Sequence, residues 1–437
     1  MLARIRRTAP RLDRPTSVTA LDSTAFYGSP GELVNAIAPH TEADPAALLL
    51  DFLTCFGSAV GPGPHVRVGG ATHRARLFVV IVGATSRARK GQSRSEIRPI
   101  FEAADPCWSS TRVVGGLASG EGLIAAVRDD DDDPERSVCD KRLLVIEEEF
   151  SRVLKAAGRE GSTLSEIVRQ AFDRDTLSIL TRRDPLTARG AHISIIAHVT
   201  AEELRHRLND LEVANGFANR FIIARVQRSR LLPHGATTSL ANSLCSQVRH
   251  ALDAARRIGE VKRSPAADLV WEMIYEALET RDDDGLVGAV TARSSAHVLR
   301  LSLVYALTDG SRTIEPEHVI AAYEVWRYAD ASVRALWPTS IGNHLADRIV
   351  EIVTAAGEDG RTRTELSAGL GRHATKSEID EAVRLLADRR LVVEVPQLSS
   401  GGRSAVRYFL CETSESAKEP CLPSLDSLLS HRDGQPL

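Results

Sequence analysis

Runs of β-branched and other apolar residues between 75 and 226 alternate with stretches of helical periodicity. Their length and composition are typical of strands that are buried on both faces of a parallel sheet. The runs are ARLFVVIVG (75–83), RVVGG (112–116), RLLVIEEEF (142–150), HISIIAHVT (192–200) and RFIIARV (220–226). Because strands that alternate with helices form a parallel layer, this part of the chain is predicted to be an α/β domain.

Helical patterns flank the predicted sheet on both sides. Before it, Asp44 and Pro45 form an N-cap signal for a helix that the Gly-Pro-Gly-Pro run at 61–64 ends. After about Leu232 the strand pattern stops, and helical periodicity continues to Trp337. The predicted segments are a disordered arm (1–25), an N-terminal helical segment (26–75), the sheet core (76–230), a helical lid (231–340), a C-terminal unit (341–411) and a disordered tail (412–437).

The C-terminal unit has the element order of a winged helix-turn-helix. Three short helical patterns (344–357, 362–371 and 375–390) precede a predicted hairpin formed by LVVEVPQ and SAVRYFL. The third helix and the wing carry cations that are candidates for DNA contacts: Arg372, His373, Lys376, Arg403 and Arg407. The same helix also contains Glu378, Asp380 and Glu381, which would repel phosphate, so a protein-binding role stays open.

Composition changes this picture little. The 437 residues carry a net charge of -3, so contact with nucleic acid requires a local basic surface rather than a bulk field. The six cysteines show no spacing typical of a zinc site and are expected to be reduced thiols. No apolar run is long enough to span a bilayer, and the basic N-terminus lacks the apolar stretch of a secretory signal. We therefore expect a cytoplasmic protein without a membrane partner.

The segment after the first buried run is a candidate phosphate loop. Its candidate nucleotide-binding residues are Gly83, Ala84, Thr85, Ser86, Arg89, Lys90, Gly91, Gln92 and Ser93. A strand that feeds a small-residue turn and then a helix directs backbone N–H groups at phosphates, while a lysine and a hydroxyl serve the terminal phosphates and Mg²⁺. The spacing departs from G-x-x-x-x-G-K-[ST], because Arg89 replaces the second glycine and Ser93 lies three residues after Lys90. A basic surface turn is the alternative.

The run LLVI, about sixty residues downstream, ends in two acids, Glu147 and Glu148, and Glu149 follows as a third candidate. In P-loop ATPases the strand beside the phosphate loop carries one acid for the Mg²⁺ shell and a second for the attacking water. This pattern predicts that Glu147 and Ser93 hold Mg²⁺ and that Glu148 orients the water. A strand that ends in a solvated acidic turn is the alternative.

Two further polar residues lie at the ends of predicted strands. His198 comes near the end of HISIIAHVT, where a side chain can sense the γ-phosphate, although a buried core histidine is an equal alternative. Arg220, in GFANRF, opens the last strand and is a candidate arginine finger for a neighbouring subunit. A salt bridge at the strand edge is the alternative for Arg220.

Taken together, these segments resemble the AAA+ and RecA-like ATPase core. The end of the sheet and the following helices are similar to minichromosome maintenance helicases, and the segment TARSSAHVLRL resembles their sensor-2 helix, which would put Arg293 at the nucleotide. Residues 26–338 also resemble a family of bacterial P-loop proteins with similar RKG-S, SGEGLI and GFANRF segments. That family is frequent in actinobacteria and near phage or plasmid genes, and some members are joined to primase-polymerase modules. The resemblance implies a helicase-like ATPase that uses ATP and Mg²⁺, with DNA, a primase and further copies of itself, such as a hexameric ring, as partners.

Two functions follow from these residues. The first is an ATP-hydrolysing, helicase-like P-loop protein that acts on DNA in the replication of, or defence against, mobile elements. The second is a nucleotide-sensing module that binds DNA or protein with little or no turnover. The irregular phosphate loop favours the second function, whereas the acid pair, His198 and Arg220 favour the first.

Overall fold

The computed structural model describes residues 20–83, 91–130, 133, 136–180, 185–208, 215–234, 241–281, 283, 285–337, 344–371, 374–389, 391–397 and 405–411. The strands are β1 His65–Val68, β2 Ala71–Arg74, β3 Phe78–Gly83, β4 Val113–Val114, β5 Arg142–Glu147, β6 Leu177–Ile179, β7 Leu186–Ala188, β8 His192–Thr200, β9 Ile222–Val226, β10 Lys262–Arg263, β11 Thr313–Ile314, β12 Arg361–Thr362, β13 Val392–Gln397 and β14 Ala405–Leu410. The helices are α1 Gly28–Ile37, α2 Pro45–Val60, α3 Gln92–Ala104, α4 Pro106–Thr111, α5 Gly120–Ala125, α6 Phe150–Ala157, α7 Leu164–Asp173, α8 Ala201–Arg207, α9 Ala241–Ala255, α10 Pro265–Glu279, α11 Gly285–Thr291, α12 Ser294–Thr308, α13 Pro316–Leu336, α14 His344–Ala356, α15 Arg363–Gly369 and α16 Lys376–Asp388.

The five predicted runs form one five-stranded parallel sheet in the order β4-β5-β8-β3-β9. All six residues of β3 are buried, because helices cover both faces of the sheet. The prediction of an α/β class with a parallel sheet is therefore confirmed. The architecture is compatible with a Rossmann-like or P-loop core.

The position of β8 differs from the expectation. The strand with the acid pair, β5, was expected beside β3, but β8 lies between them and pairs with both. The run 192–200 has the length and the apolar pattern of a central strand, but these do not encode which strands become its neighbours. The order instead follows from the crossover connections, in which the chain passes from β3 to the far edge at β4 and then returns strand by strand.

The two faces of the sheet belong to two apolar cores. Along β3, Val79 and Ile81 face a core that also contains α1, α2, α3 and the helices α9, α10, α12 and α13. The alternate residues Phe78, Val80 and Val82 face α5 to α8. Residues from the predicted N-terminal segment, sheet core and lid thus share one continuous core.

Helix α2 shows how the local sequence produces this packing. Asp44 caps it by accepting a hydrogen bond from the Ala46 N–H (2.9 Å), and Pro45 occupies the first turn. The helix ends at Gly61, whose φ of 94° is accessible to glycine at little cost. All residues from 46 to 60 are buried, including the polar residues Asp51, Thr54 and Ser58, so these residues present no face to solvent.

The sequence did not reveal four short strand pairings. Strands β1 and β2 form a hairpin around Gly69 and Gly70, inside the segment that was predicted to be helical. A second hairpin, β6–β7, directly precedes β8. In the predicted lid, β10 and β11 pair in parallel, and β12 adds to the C-terminal sheet. Each of these strands is four residues or shorter, so side-chain periodicity is a weak signal for them.

The C-terminal unit contains α14 to α16 and the antiparallel sheet β12-β14-β13. The predicted hairpin is present, with Val392 opposite Leu410 and Gln397 opposite Ala405. The unit has its own apolar cluster, centred on Ile349, Leu366 and Leu386.

In the part of the chain that the structure describes, no helix combines the length and the apolar character needed to cross a bilayer.

Candidate functional site

The candidate site lies at the carboxyl edge of the sheet, between β3 and β8. The chain leaves β3 towards α3, whose Ile97 and Phe101 belong to the first core. It leaves β8 into α8, whose Leu204 belongs to the second core on the opposite face. Adjacent strands whose connections diverge to opposite faces leave a crevice outside their carboxyl ends, and this is where open α/β sheets bind ligands.

The described ends of the predicted phosphate loop, Gly83 and Gly91, lie at the end of β3 and directly before α3. Gly83 is the last residue of β3 and lies between Thr200 of β8 and Val226 of β9. Gly91 caps α3 and is exposed, and Gln92 is its first helical residue. The intervening candidates, Ala84, Thr85, Ser86, Arg89 and Lys90, lie outside the described residues.

Ser93 lies in the interface between α3 and α2. It is 0% exposed, and its hydroxyl lies beside the carboxylate of Asp51 of α2, which is also 0% exposed. The next residue, Arg94, directs its Nη1 to the Cys55 sulfur on α2 at 3.6 Å. The structure thus brings Ser93 close to a carboxylate, but this carboxylate belongs to Asp51 rather than to Glu147.

Asp51 is a buried acid next to the predicted phosphate loop. Burial raises its pKa to about 6, although the Ser93 hydroxyl and the Arg94 guanidinium act in the opposite direction. A group that titrates near neutral pH therefore lies under the first turn of α3.

The acid pair divides into one buried and one exposed residue. Glu147 is the last residue of β5 and is only 6% exposed. Its Oε1 accepts a hydrogen bond from the Leu117 N–H, in the loop that follows β4. Glu148 follows the strand end and is exposed to solvent. Of the two acids, Glu148 is thus the one whose side chain is accessible to a ligand at this edge.

His198 is inside the sheet rather than at its tip. It is 2% exposed and lies opposite Ile81 of β3, two residues before the end of β8. Strand alternation puts it on the same face as Ile196, the face that α2 and α3 cover. The strand tip itself is Thr200, which caps α8 in a capping box with Glu203.

Arg220 belongs to a second cluster, at the amino edge of the sheet. It is 8% exposed, and its Nη2 forms an ion pair with Asp173 at 2.7 Å. Its Nη1 donates to the Asn219 Oδ1 (2.9 Å) and to the Gly216 carbonyl oxygen. A side chain on Gly216 would collide with this guanidinium, and the φ of 80° there also favours glycine. The GFANR turn thus holds Arg220 in a fixed geometry.

Arg293 joins Arg220 rather than the carboxyl edge. Its Nη1 and Nη2 lie 2.9 and 3.4 Å from the two oxygens of Asp173, so one carboxylate binds both arginines. Arg220 precedes β9, whereas Gly83 ends β3, and the two strands are parallel. At about 3.3 Å per residue, the length of the sheet separates this arginine pair from the phosphate-loop segment of the same chain.

Asp173 was not identified from the sequence. It ends α7, and its partners are 47 and 120 residues away along the chain. No local pattern distinguishes it from any acid at a helix end. Only the fold shows that it pairs the two arginines.

The candidate DNA-contacting residues fall on the C-terminal unit. Lys376 is exposed on the first turn of α16. Arg407 of β14 is held by its own unit, because its Nη1 donates to the Asp359 carbonyl oxygen at 2.6 Å and lies 3.8 Å from Glu365. Two of the opposing acids are also engaged: Glu378 caps α16, and Asp380 pairs with Arg363. Arg372, His373 and Arg403 lie outside the described residues.

Neither the protein-family models nor the curated proteins compared with this chain match it. Among the described side chains, no three His, Cys, Asp or Glu residues converge as a metal site. The interpretation of the two clusters therefore rests on their own geometry.

We predict that Asp51→Asn stabilises the protein at pH 8 and that this gain disappears at pH 4. The native pKa of about 6 exceeds the unfolded value of 3.8, so the native state loses stability as pH rises from about 4 through 6. A pKa shift of about two units lowers the free energy of unfolding of the wild type by about 3 kcal/mol at pH 8. Asn stays neutral at every pH, so the variant does not lose this stability. The measurement is urea unfolding of both proteins at pH 4, 6 and 8.

Asp253→Asn is the control, because the Asp253 side chain is 54% exposed and its removal should have little effect. An Asp51→Asn protein that is less stable than the wild type at pH 8 would contradict the prediction. It would mean that Arg94 and Ser93 more than compensate for burial of the charge.

Proposed function

We propose that this protein is a P-loop ATPase that binds and hydrolyses ATP and acts on DNA in a helicase-like assembly. The observation that carries the proposal is the position of the segment 83–93. It follows the inner strand β3 at a topological switch point, and the acid pair at the end of β5 lies at the same edge of the sheet. This is where a P-loop fold requires a phosphate loop and its acids. The resemblance to helicases adds the context of replication of, or defence against, mobile elements.

The residues at the carboxyl edge fit a nucleotide and Mg²⁺ in part. Gly83 and Gly91 bracket the loop without side chains that would obstruct phosphates, and Lys90 supplies a cation between them. Bound Mg²⁺ would neutralise phosphate charge during phosphoryl transfer. Exposed Glu148 is available at this edge, whereas Glu147 already accepts the Leu117 N–H and Ser93 is buried beside Asp51.

We therefore give the two acids different roles. Glu148 would hold and orient the attacking water, since its carboxylate is accessible at the strand end. Glu147 would keep the β4 loop and the end of β5 in register, and contact Mg²⁺ only if it released the Leu117 N–H.

The arginine pair would serve a neighbouring subunit. Arg220 and Arg293 lie together at the amino edge, and their shared partner is a carboxylate, which like a phosphate edge is negatively charged and presents two oxygen acceptors. In a head-to-tail oligomer these arginines would face the neighbour's nucleotide. Arg293, which was expected at its own chain's nucleotide, would then act with Arg220 on the next one.

For the C-terminal unit we propose a winged helix that binds DNA. The support is the three-helix and hairpin order, with exposed Lys376 at the start of the third helix. Engagement of Glu378 and Asp380 within the unit reduces the repulsion that these acids would exert on phosphate.

The second candidate is a nucleotide-sensing module with little or no turnover. Burial of Ser93 and the hydrogen bond on Glu147 favour it, because both predicted Mg²⁺ ligands already have partners within the protein. Both candidate functions require nucleotide binding, but only the first requires ATP hydrolysis.

We predict that the purified chain hydrolyses ATP, that single-stranded DNA stimulates the rate, and that Lys90→Ala and Glu148→Gln abolish it. Loss of a general base typically lowers kcat by 10²–10⁴-fold, so Glu148→Gln should lose at least about 100-fold. Phosphate release would be followed with and without an oligonucleotide, and Mg·ATP binding by calorimetry.

Glu147→Gln is the matched comparison. Glutamine keeps an oxygen that can accept the Leu117 N–H, so we expect a loss of less than about tenfold if Glu147 is structural. Binding without hydrolysis would favour the sensing module. Absence of both binding and hydrolysis would overturn the nucleotide assignment.

We further predict that Arg220→Lys lowers kcat by about 100-fold or more with little change in Mg·ATP affinity. Lysine retains the charge beside Asp173 but lacks the planar fork, and arginine fingers contribute 10³–10⁵ in kcat. Mixing inactive Lys90→Ala with Arg220→Lys should restore hydrolysis, because some interfaces then combine an intact phosphate loop with an intact arginine.

Arg257→Ala, at an exposed position after α9, is the control for a simple loss of surface charge. Full activity of the Arg220→Lys variant would show that Arg220 is not an arginine finger. Loss of activity without recovery on mixing would show that Arg220 acts within its own chain.

A further inference from the structure

A basic cavity of about 260 Å³ opens beside α6, on the side of β5 that faces away from β3. Three cations line it: Arg152 and Lys155 of α6, and Arg159 two residues beyond the end of the helix. The three-residue spacing of Arg152 and Lys155 puts them on one face of α6, and Arg159 lines the same cavity from the turn after the helix. The opposite wall is the loop 116–118 that follows β4, and we call the whole feature the α6 cavity.

The charge of the α6 cavity is unbalanced. Among the described residues that line it, Glu147 is the only acid, and its carboxylate already accepts the Leu117 N–H. Within the described parts of the chain, none of the three cations forms an ion pair or a side-chain hydrogen bond. By contrast, Arg142 at the start of β5 pairs with Asp105 at 2.9 Å and Asp140 at 2.7 Å. Three positive charges around one concave surface repel each other, and a bound anion would offset this repulsion.

The position of the cavity argues against the ATP triphosphate as this anion. In the order β4-β5-β8-β3-β9, β5 is two strands from β3 and β4 is three. At about 4.8 Å per strand, the cavity wall is therefore about 10–14 Å from the strand that carries the phosphate loop.

The spacing of the cations suits a chain of phosphates. The seven residue steps from Arg152 to Arg159, most of them within α6, cover about 10 Å at about 1.5 Å per step. A nucleic-acid strand carries one charge per about 3.4 Å of axis, so it can offer several phosphates over this length. Lys155, Arg152 and Arg159 are exposed cations on long side chains, which are typical of contacts with a phosphate backbone rather than of a site for one compact ion.

We propose that the α6 cavity binds the backbone phosphates of a single nucleic-acid strand. The inference rests on the proposed DNA-directed function and names the surface that carries it in the sheet domain. It also links the bound nucleic acid to catalysis. Glu147, at the end of β5, holds the loop 116–118 through the Leu117 N–H, and Glu148 is the next residue. Phosphates drawn to the cavity would fix this loop and the acid next to it.

The test is fluorescence anisotropy of a labelled 20-nucleotide oligo-dT at several salt concentrations, with the full chain. The variant is Arg152→Ala/Lys155→Ala/Arg159→Ala. We expect its affinity to fall at least tenfold at low salt. The slope of log K against log salt is negative, and each lost phosphate contact should reduce its magnitude by about 0.7. Loss of three contacts should therefore make the slope shallower by about 2.

Arg257→Ala/Lys262→Ala/Arg312→Ala is the matched control. It removes the same charges from exposed positions around β10 and β11, and it should bind like the wild type. Thermal melting of both triple variants checks that they fold.

Unchanged affinity and unchanged salt slope in the α6 variant would overturn the proposal, and so would equal losses in both triple variants. Mg·ATP binding and hydrolysis by the wild type are measured separately. If the wild type hydrolyses ATP and the α6 variant binds oligo-dT normally, the proposed role of the α6 cavity is refuted and the proposed function stands.

Discussion

Burial of the parallel sheet on both faces is the constraint on which the rest of this structure depends. The alternating side chains of β3 supply both cores: Val79 and Ile81 on one face, and Phe78, Val80 and Val82 on the other. Neither face can be left to water, so the helices before the sheet and those after it have to pack together on one side. The helices cover the two faces of the sheet, so a ligand can approach it at the carboxyl ends of the strands. The packing of the helices thus determines where a ligand site can lie, and the side chains at that edge determine which ligand it binds.

At the amino edge of the sheet, arginines outnumber the acids that bind them. Arg300 of α12 is stacked 3.6 Å from the centre of the Phe172 ring and donates to the Phe172 carbonyl oxygen at 2.7 Å. Burial, reinforced by nearby Arg76, lowers the pKa of Arg300. Asp173 and Asp175 provide the carboxylates of this region. Such a cluster is costly to bury, and removing one acid would leave charges without compensation. The cluster ties α12 to the end of α7, so it fixes the arginines that we assign to a neighbour's nucleotide.

Much of the fold could be predicted from the sequence, because its main signal is burial. Runs such as 192–200, which matches β8 from end to end, contain enough β-branched residues to identify a central strand. The order of the strands could not be predicted, since β8 has no residue pattern that specifies insertion between β3 and β5. The β1–β2 hairpin was missed although Gly69 and Gly70, between alternating residues, are a turn signal.

Prediction of the site was less complete, for a physical reason. The positions of Gly83 and Glu148 follow from strand ends, which apolar runs define well. The roles of Asp51 and Asp173 depend on contacts between segments that are far apart in the sequence, and for Asp51 burial also raises the pKa. Glu147 shows the same limit. Its spacing suggested a metal ligand, but the loop after β4 supplies an N–H that occupies its carboxylate.

The separation of the two clusters limits what one chain can do alone. Arg220 and Arg293 share Asp173 at the amino edge, and Gly83 and Glu148 lie at the carboxyl edge of the same parallel sheet. No rotation of side chains can cover the length of β3 between them. If both clusters act on one nucleotide, the contact has to join the amino edge of one copy to the carboxyl edge of the next. Such an interface is heterologous, and repeated heterologous contacts close into a ring or continue as a filament. A two-fold dimer, which pairs identical surfaces, would leave both clusters incomplete.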